Sequence, residues 1–158
     1  DIKIDYSINE FLISKTFFNG DLFNRIQFNV KLSNNFDMKF LDNFDKPIIL
    51  QYNDHNKNIL DMMNNPKIHI LKDESLGTGL VINDFALPTA HNNTYVGFAG
   101  GINYNNVYEI LDLINFFHPK LQNFYIDMES GIRSDDYLDL DICENVLQIV
   151  KNFTENEY

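Results

Sequence analysis

The sequence predicts an α/β fold built on a parallel sheet. Five short apolar runs recur at intervals of roughly 20 to 30 residues. Amphipathic stretches with helical spacing lie between them. This alternation is the pattern of βαβ units, because parallel neighbours need a long crossover that is usually a helix. A third observation concerns glycine: Gly77, Gly79, Gly97, Gly100, Gly101 and Gly131 are six of the seven, so nearly all lie at or beyond residue 77. Glycine serves where the backbone needs positive φ or close approach to a ligand, so the functional loops are expected in that part of the chain.

Taken in order, a helix is expected over Ile8–Phe18 and a first strand over Arg25–Val30 (RIQFNV). A short helix over Asn35–Asn43 leads to a strand at Pro47–Tyr52 (PIILQY), and another over Lys57–Met63 leads to Lys67–Asp73 (KIHILKD). The next strand is Tyr95–Ala99 (YVGFA). Asn106–Phe117 follows as a helix, since Val107, Ile110, Leu111, Ile114 and Phe117 form one apolar stripe. Phe124–Glu129 (FYIDME) is the fifth strand. The last helix is Asp139–Phe153, with Ile142, Val146, Ile149, Val150 and Phe153 on its buried face. Pairs among the 23 asparagines (Asn34-Asn35, Asn64-Asn65, Asn92-Asn93) fall where connections are expected. No fixed-period repeat is present, which argues against a solenoid or propeller.

Composition narrows the function. With 158 residues and 44% hydrophobic content, the chain has the size and core of one domain. A net charge of −11, with Arg25 and Arg133 the only arginines, argues against nucleic-acid or anionic-membrane partners. No apolar run reaches 18 residues, and the first ten residues lack the apolar segment of a signal peptide, so a cytoplasmic chain is expected. The single cysteine, Cys143, excludes an internal disulfide and a cysteine-rich zinc site, and its position on the last helix reads as a core thiol. His55, His69, His91 and His118 are dispersed without helical pairing, so no metal is expected, nor any cofactor. The acids Asp135, Asp136, Asp139 and Asp141 lack the glycine and glutamate of a calcium loop and read as a solvated helix entrance.

Three segments carry candidate chemistry. In Phe98–Val107 a β-run enters Gly100-Gly101, with Asn103 as N-cap of the following helix. Amides at a helix N-terminus favour an anion, although a ligand-free βα turn has the same sequence needs. In Tyr125–Arg133, period-2 geometry puts Tyr125, Asp127 and Glu129 on one face, and Ser130-Gly131 offers a second pair of amides. A strand end emerging into solvent is the plain alternative. In Leu71–Gly79, Asp73 ends an apolar strand before a glycine loop, which suits a general acid under a closing loop or an Asp capping a turn.

Asp73 followed by GTG at 77–79, then AGGI with Asn106-Val107 five residues beyond Gly101, then IDMESGI, resembles the phosphoribosylanthranilate isomerase family. The likeness runs from Lys67 to Phe153. It implies a (β/α)8 TIM-type barrel of which this chain holds strands four to eight, so that residues 1–158 are one barrel domain or its C-terminal part. It implies an Amadori rearrangement of an aminoaldose phosphate in tryptophan biosynthesis, with Asp73 as general acid, its pKa raised by burial. It places the phosphate on Gly100, Gly101, Ser130 and Gly131, and makes Asp127 a polar contact to substrate. A phosphorylated sugar is the implied partner, with a second copy or another chain completing the sheet. The family's catalytic cysteine on strand one has no counterpart here. Leu80, Tyr104 and Arg133 replace its usual lysine, proline and glutamate, and Glu129 adds a carboxylate beside the phosphate that Arg133 would have to compensate. The missing base leaves a non-catalytic phosphate-binding or interaction module as the alternative. A glycosidase-like pair of Asp127 and Glu129 ranks third, because no aromatic sugar platform accompanies it.

Overall fold

A computed structural model describes residues 24–29, 31–32, 38–63, 65–73, 80–87, 95–121 and 123–156. The helix expected over Ile8–Phe18, the Gly77-Thr78-Gly79 loop and His91 lie outside these residues. The chain divides into two compact units, Asp1–Leu71 with Pro88–Thr94, and Lys72–Leu87 with Tyr95–Tyr158.

All five expected strands form: β1 (Ile26–Phe28), β2 (Ile48–Tyr52), β3 (Ile68–Lys72), β4 (Val96–Phe98) and β5 (Phe124–Ile126). They make one all-parallel sheet in the order β1-β2-β3-β4-β5, which confirms the α/β class. The sheet is not closed, and β1 and β5 are its outer strands among the described residues.

In the first unit, β1 pairs with β2 in parallel, Ile26 opposite Ile48. Leu41, Phe44, Ile48, Leu50, Leu60 and Ile70 form its core. β2 and β3 are buried along almost their whole length, as expected of continuous apolar runs in a parallel sheet. The helix expected over Lys57–Met63 is reduced to α1 (Lys57–Leu60), and Met38–Asn43 of the Asn35–Asn43 segment is a 3-10 helix. The turn into α1 rests on asparagine. Asn53 Oδ1 accepts the His55 N–H at 3.0 Å, while the Asn53 carbonyl accepts the Asn56 and Lys57 N–H groups. This is an Asx-turn, in which a side chain stands in for backbone.

The second unit holds β4, β5, α2 (Val107–Phe117), a 3-10 turn at Ser130–Ile132, the hairpin β6 (Arg133–Ser134) and β7 (Tyr137–Leu138), and α3 (Leu140–Asn156). β4 and β5 pair in parallel, Val96 opposite Phe124. Val96, Phe98, Phe124 and Ile126 pack against α2 residues Val107, Leu111 and Ile114, with Val146 and Phe153 from α3. The alternate residues Gly97 and Tyr125 face each other on the other side of the pleat. A Cβ on Gly97 would lie 2.5 Å from Tyr125 Cε2 and 2.6 Å from its hydroxyl, so the glycine is what lets the ring lie flat on β4.

Two sequence expectations need correction here. Asp135 and Asp136 do not open the last helix: they are the two central residues of the β6–β7 hairpin, with φ of 50° and 66°. Positive φ at both positions is the type I′ turn, whose twist matches that of the strands it joins. Asp139 is the true cap of α3, its Oδ1 accepting the Asp141 and Ile142 N–H groups at 3.1 and 3.0 Å. The Ser134 hydroxyl donates to Asp139 Oδ2 at 2.6 Å. That bond first, and then the backbone amides, hold the Asp139 pKa below its ordinary value. Cys143 is not a core thiol but half-buried, lining a cavity between α3 and β5. Among the described residues no helix is long and apolar enough to cross a membrane.

Candidate functional site

The carboxyl ends of β3, β4 and β5 run out side by side within the second unit. The Lys72 carbonyl accepts the Ala99 N–H, and the Phe98 carbonyl accepts the Asp127 N–H, both at 2.9 Å. Asp73 and Asp127 therefore leave the sheet at one edge, with β4 between them. The carboxyl ends of the strands are where barrels of parallel strands carry their sites.

Asp73 is buried and Asp127 is exposed at the rim. Asp127 has a pKa raised above 3.8, first because neighbouring groups strip part of its water, then because the Asp73 and Glu129 charges repel its ionised form. The carboxyl that the site biases toward the protonated state is thus Asp127. Glu129 lies past the end of β5, with φ −121° and ψ −72°, outside the extended run that period-2 geometry assumes. Its carboxylate meets the Arg133 guanidinium at 3.7 Å, the compensation expected of Arg133.

The two glycine-bearing turns touch. A Cβ on Gly131 would run into the Ile102 carbonyl oxygen and lie 2.9 Å from Asn103 Cα, so the turn after β5 rests directly on the turn after β4. Gly100 and Gly101 have φ of 104° and 59°, a backbone that L side chains rarely adopt. Gly131 is therefore brought against the residues that directly follow Gly100-Gly101 in the chain.

The helix N-terminus beside them differs from a bare anion site. Asn106 Oδ1 accepts the Asn103 N–H at 2.8 Å, and Asn103 Oδ1 accepts the Asn105 N–H at 2.9 Å. Both Asn103 and Asn106 donate their side-chain amides to the Gly101 carbonyl. The Asn103 carbonyl takes the Asn106 and Val107 N–H groups. Asn103 is therefore not the N-cap expected of it: Asn106 occupies the cap position of α2, and Asn103 closes the turn before it. The asparagines satisfy amides that a phosphate would otherwise use. The same N-x-x-N spacing, Asn53 to Asn56, shapes the turn after β2. That spacing was the available sequence signal.

Lys72 carries no sequence signal, because a lysine at a strand end is ordinarily solvated. It is buried to 2% exposure, and its ammonium donates to Asp84 Oδ2 at 2.8 Å. Asp84 also accepts the Ala86 N–H, which ties residues 84–86 to the end of β3. In the first unit, His69 is buried, and burial followed by the Arg25 charge lowers its pKa, which suits a neutral structural imidazole. Among the described residues no three His, Cys, Asp or Glu side chains come together to hold a metal ion. No family model, curated protein or solved structure matches the chain.

Proposed function

We propose that the second unit is a phosphosugar site of the phosphoribosylanthranilate isomerase type, on a (β/α)-barrel arrangement corresponding to strands four to eight. The observation that carries this reading is the contact of Gly131 with Ile102 and Asn103, which joins two glycine-bearing turns at the carboxyl ends of neighbouring parallel strands. Barrels of this type bind phosphate at the loops after their last two strands. The consecutive strand order supports the same reading, because right-handed crossovers advancing in one direction have no switch point and curl a sheet toward a barrel. Asp73 and Asp127 then divide the acid chemistry. Asp127, whose pKa is raised first by desolvation and then by its acidic neighbours, is suited to hold the proton, and Asp73 is the buried carboxyl beside it.

The test is a titration of the full chain with ribose 5-phosphate, read by amide NMR. Shifts at Gly100, Gly101 and Gly131 at millimolar ligand are expected, and their absence defeats the reading. If phosphoribosylanthranilate is turned over, Asp73→Asn is expected to abolish turnover, and unchanged rates would remove Asp73 from the chemistry. A second reading, a binding module without catalysis, is favoured by the asparagine bonds that occupy the amides before α2. Phosphate-dependent shifts without turnover would select it.

A further inference from the structure

β5 is the last strand of the sheet, and its outer side opens on a cavity of about 650 Å³ in the second unit. Five consecutive residues, Phe124 to Met128, line that cavity, facing α3 residues Cys143, Leu147 and Val150. A site for a compact molecule meets alternate residues from one face of a strand. Lining by every residue in turn means that the cavity follows the strand's edge.

The backbone is oriented for pairing there. The Asn123 carbonyl accepts the Val96 N–H and the Asp127 N–H donates to the Phe98 carbonyl, so odd-numbered residues address β4. Phe124 and Ile126, between them, turn their N–H and C=O groups outward. No partner for those groups occurs among the described residues. Half-buried peptide groups beside apolar walls are costly to leave unpaired. On the opposite wall Leu147 remains 68% exposed, an apolar surface still to be covered.

We infer that this groove accepts an extended segment of another polypeptide as an added β-strand, with apolar residues at alternate positions and a lysine or arginine near Asp127. Main-chain hydrogen bonds to Phe124 and Ile126 give affinity, and alternate side chains pack on α3. At about 3.3 Å per residue, the lined stretch spans about five residues of extended chain. Charge selects the partner: Asp127 is the one charged residue lining the groove and it is acidic, and the chain carries a net charge of −11. A second copy of the chain brings the wrong sign, whereas a basic segment brings the right one. The inference shares Asp127 with the phosphosugar reading but not its anion site, since a phosphate would sit on the turns and not along the outer edge.

The probe is a fluorescein-labelled peptide, acetyl-Lys-Val-Thr-Val-Thr-Val-Lys-amide, titrated with the full chain by anisotropy. Saturable binding is expected, with slowed hydrogen exchange at the Phe124 and Ile126 amides. N-methylation of alternate peptide residues is expected to weaken binding by roughly tenfold or more, because it removes the ladder. Replacing both lysines by glutamate is expected to weaken it similarly. Leu147→Asn, an exposed change that leaves the fold intact, is expected to weaken it several-fold. Absent binding, or equal binding of the N-methylated peptide, would overturn the inference. So would light scattering that shows a two-chain species with those amides already protected, since the edge would then belong to a second copy.

Discussion

Replacing Gly131 by alanine tests the contact on which the site depends. Gly131 is not among the glycines with positive φ, so the penalty comes from contact and not from backbone conformation. The new methyl would strike the Ile102 carbonyl oxygen and stand 2.9 Å from Asn103 Cα and 3.0 Å from the Ile102 carbonyl carbon. Comfortable carbon–carbon separation is about 3.5 Å or more, so the two carbons would have to retreat by roughly half an ångström and the carbonyl oxygen by more. They are poorly placed to do so, because Asn103 and Asn106 tie that turn to the Gly101 carbonyl. Overpacking costs about 1–3 kcal/mol, and an obstacle made of backbone puts Gly131→Ala near 3 kcal/mol. At 2–4 °C per kcal/mol for a chain of this size, Tm should fall by roughly 6–12 °C. Urea and thermal unfolding followed by circular dichroism and tyrosine fluorescence read this directly, since the chain has eight tyrosines and no tryptophan. Gly97→Ala supplies the contrast. Its obstacle is the end of the Tyr125 ring, so Gly97→Ala with Tyr125→Leu should recover most of the loss. A Gly131→Ala protein within about 0.5 kcal/mol of the parent would show that the turns do not touch, and the reasoning for a joint anion site would fail with it.

Three further outcomes are expected. A carboxyl with a raised folded-state pKa favours the folded state in acid and loses that contribution as pH rises through the raised value, so Asp127 opposes folding at neutral pH. Asp127→Asn should therefore gain about half a kcal/mol near pH 7 after solvent screening and nothing near pH 3, checked by Tm against pH, and the opposite slope would be inconsistent with the assigned shift. Asp84→Ala leaves the buried Lys72 ammonium without this carboxylate and should cost about 1–3 kcal/mol, with Lys72→Met recovering part of it in the double variant; additive losses in that cycle would mean no coupling. Asp136→Gly relieves an L-residue at φ 66° and should stabilise the hairpin by roughly 0.5–1 kcal/mol, and a lower Tm would contradict the type I′ assignment.

The sequence alone was enough for the strands. Runs such as PIILQY and KIHILKD are apolar at nearly every position, and only a strand buried on both faces makes use of that pattern, so β2 and β3 formed where expected. The Val107–Phe117 stripe at helical spacing likewise became α2. The positions of Gly100, Gly101 and Gly131 in turns were readable too, because glycine punctuates a chain locally. What the sequence did not contain was which groups meet. That Gly131 lies on Ile102 and that Asp73 acts on Asp127 follow from the pairing of β3, β4 and β5, which brings residues far apart in the chain to one edge, and Lys72 is buried against Asp84 because the loop after β3 folds back on it. Local preferences act over a few residues, and so Asp135 and Asp136 were legible as acids near a helix but not as a hairpin turn, whose positive φ depends on Arg133 and Ser134 finding Tyr137 and Leu138. Cys143 makes the same point: its helical stripe was visible in the sequence, but whether that stripe met a core or a cavity depended on β5 being the outer strand of an open sheet.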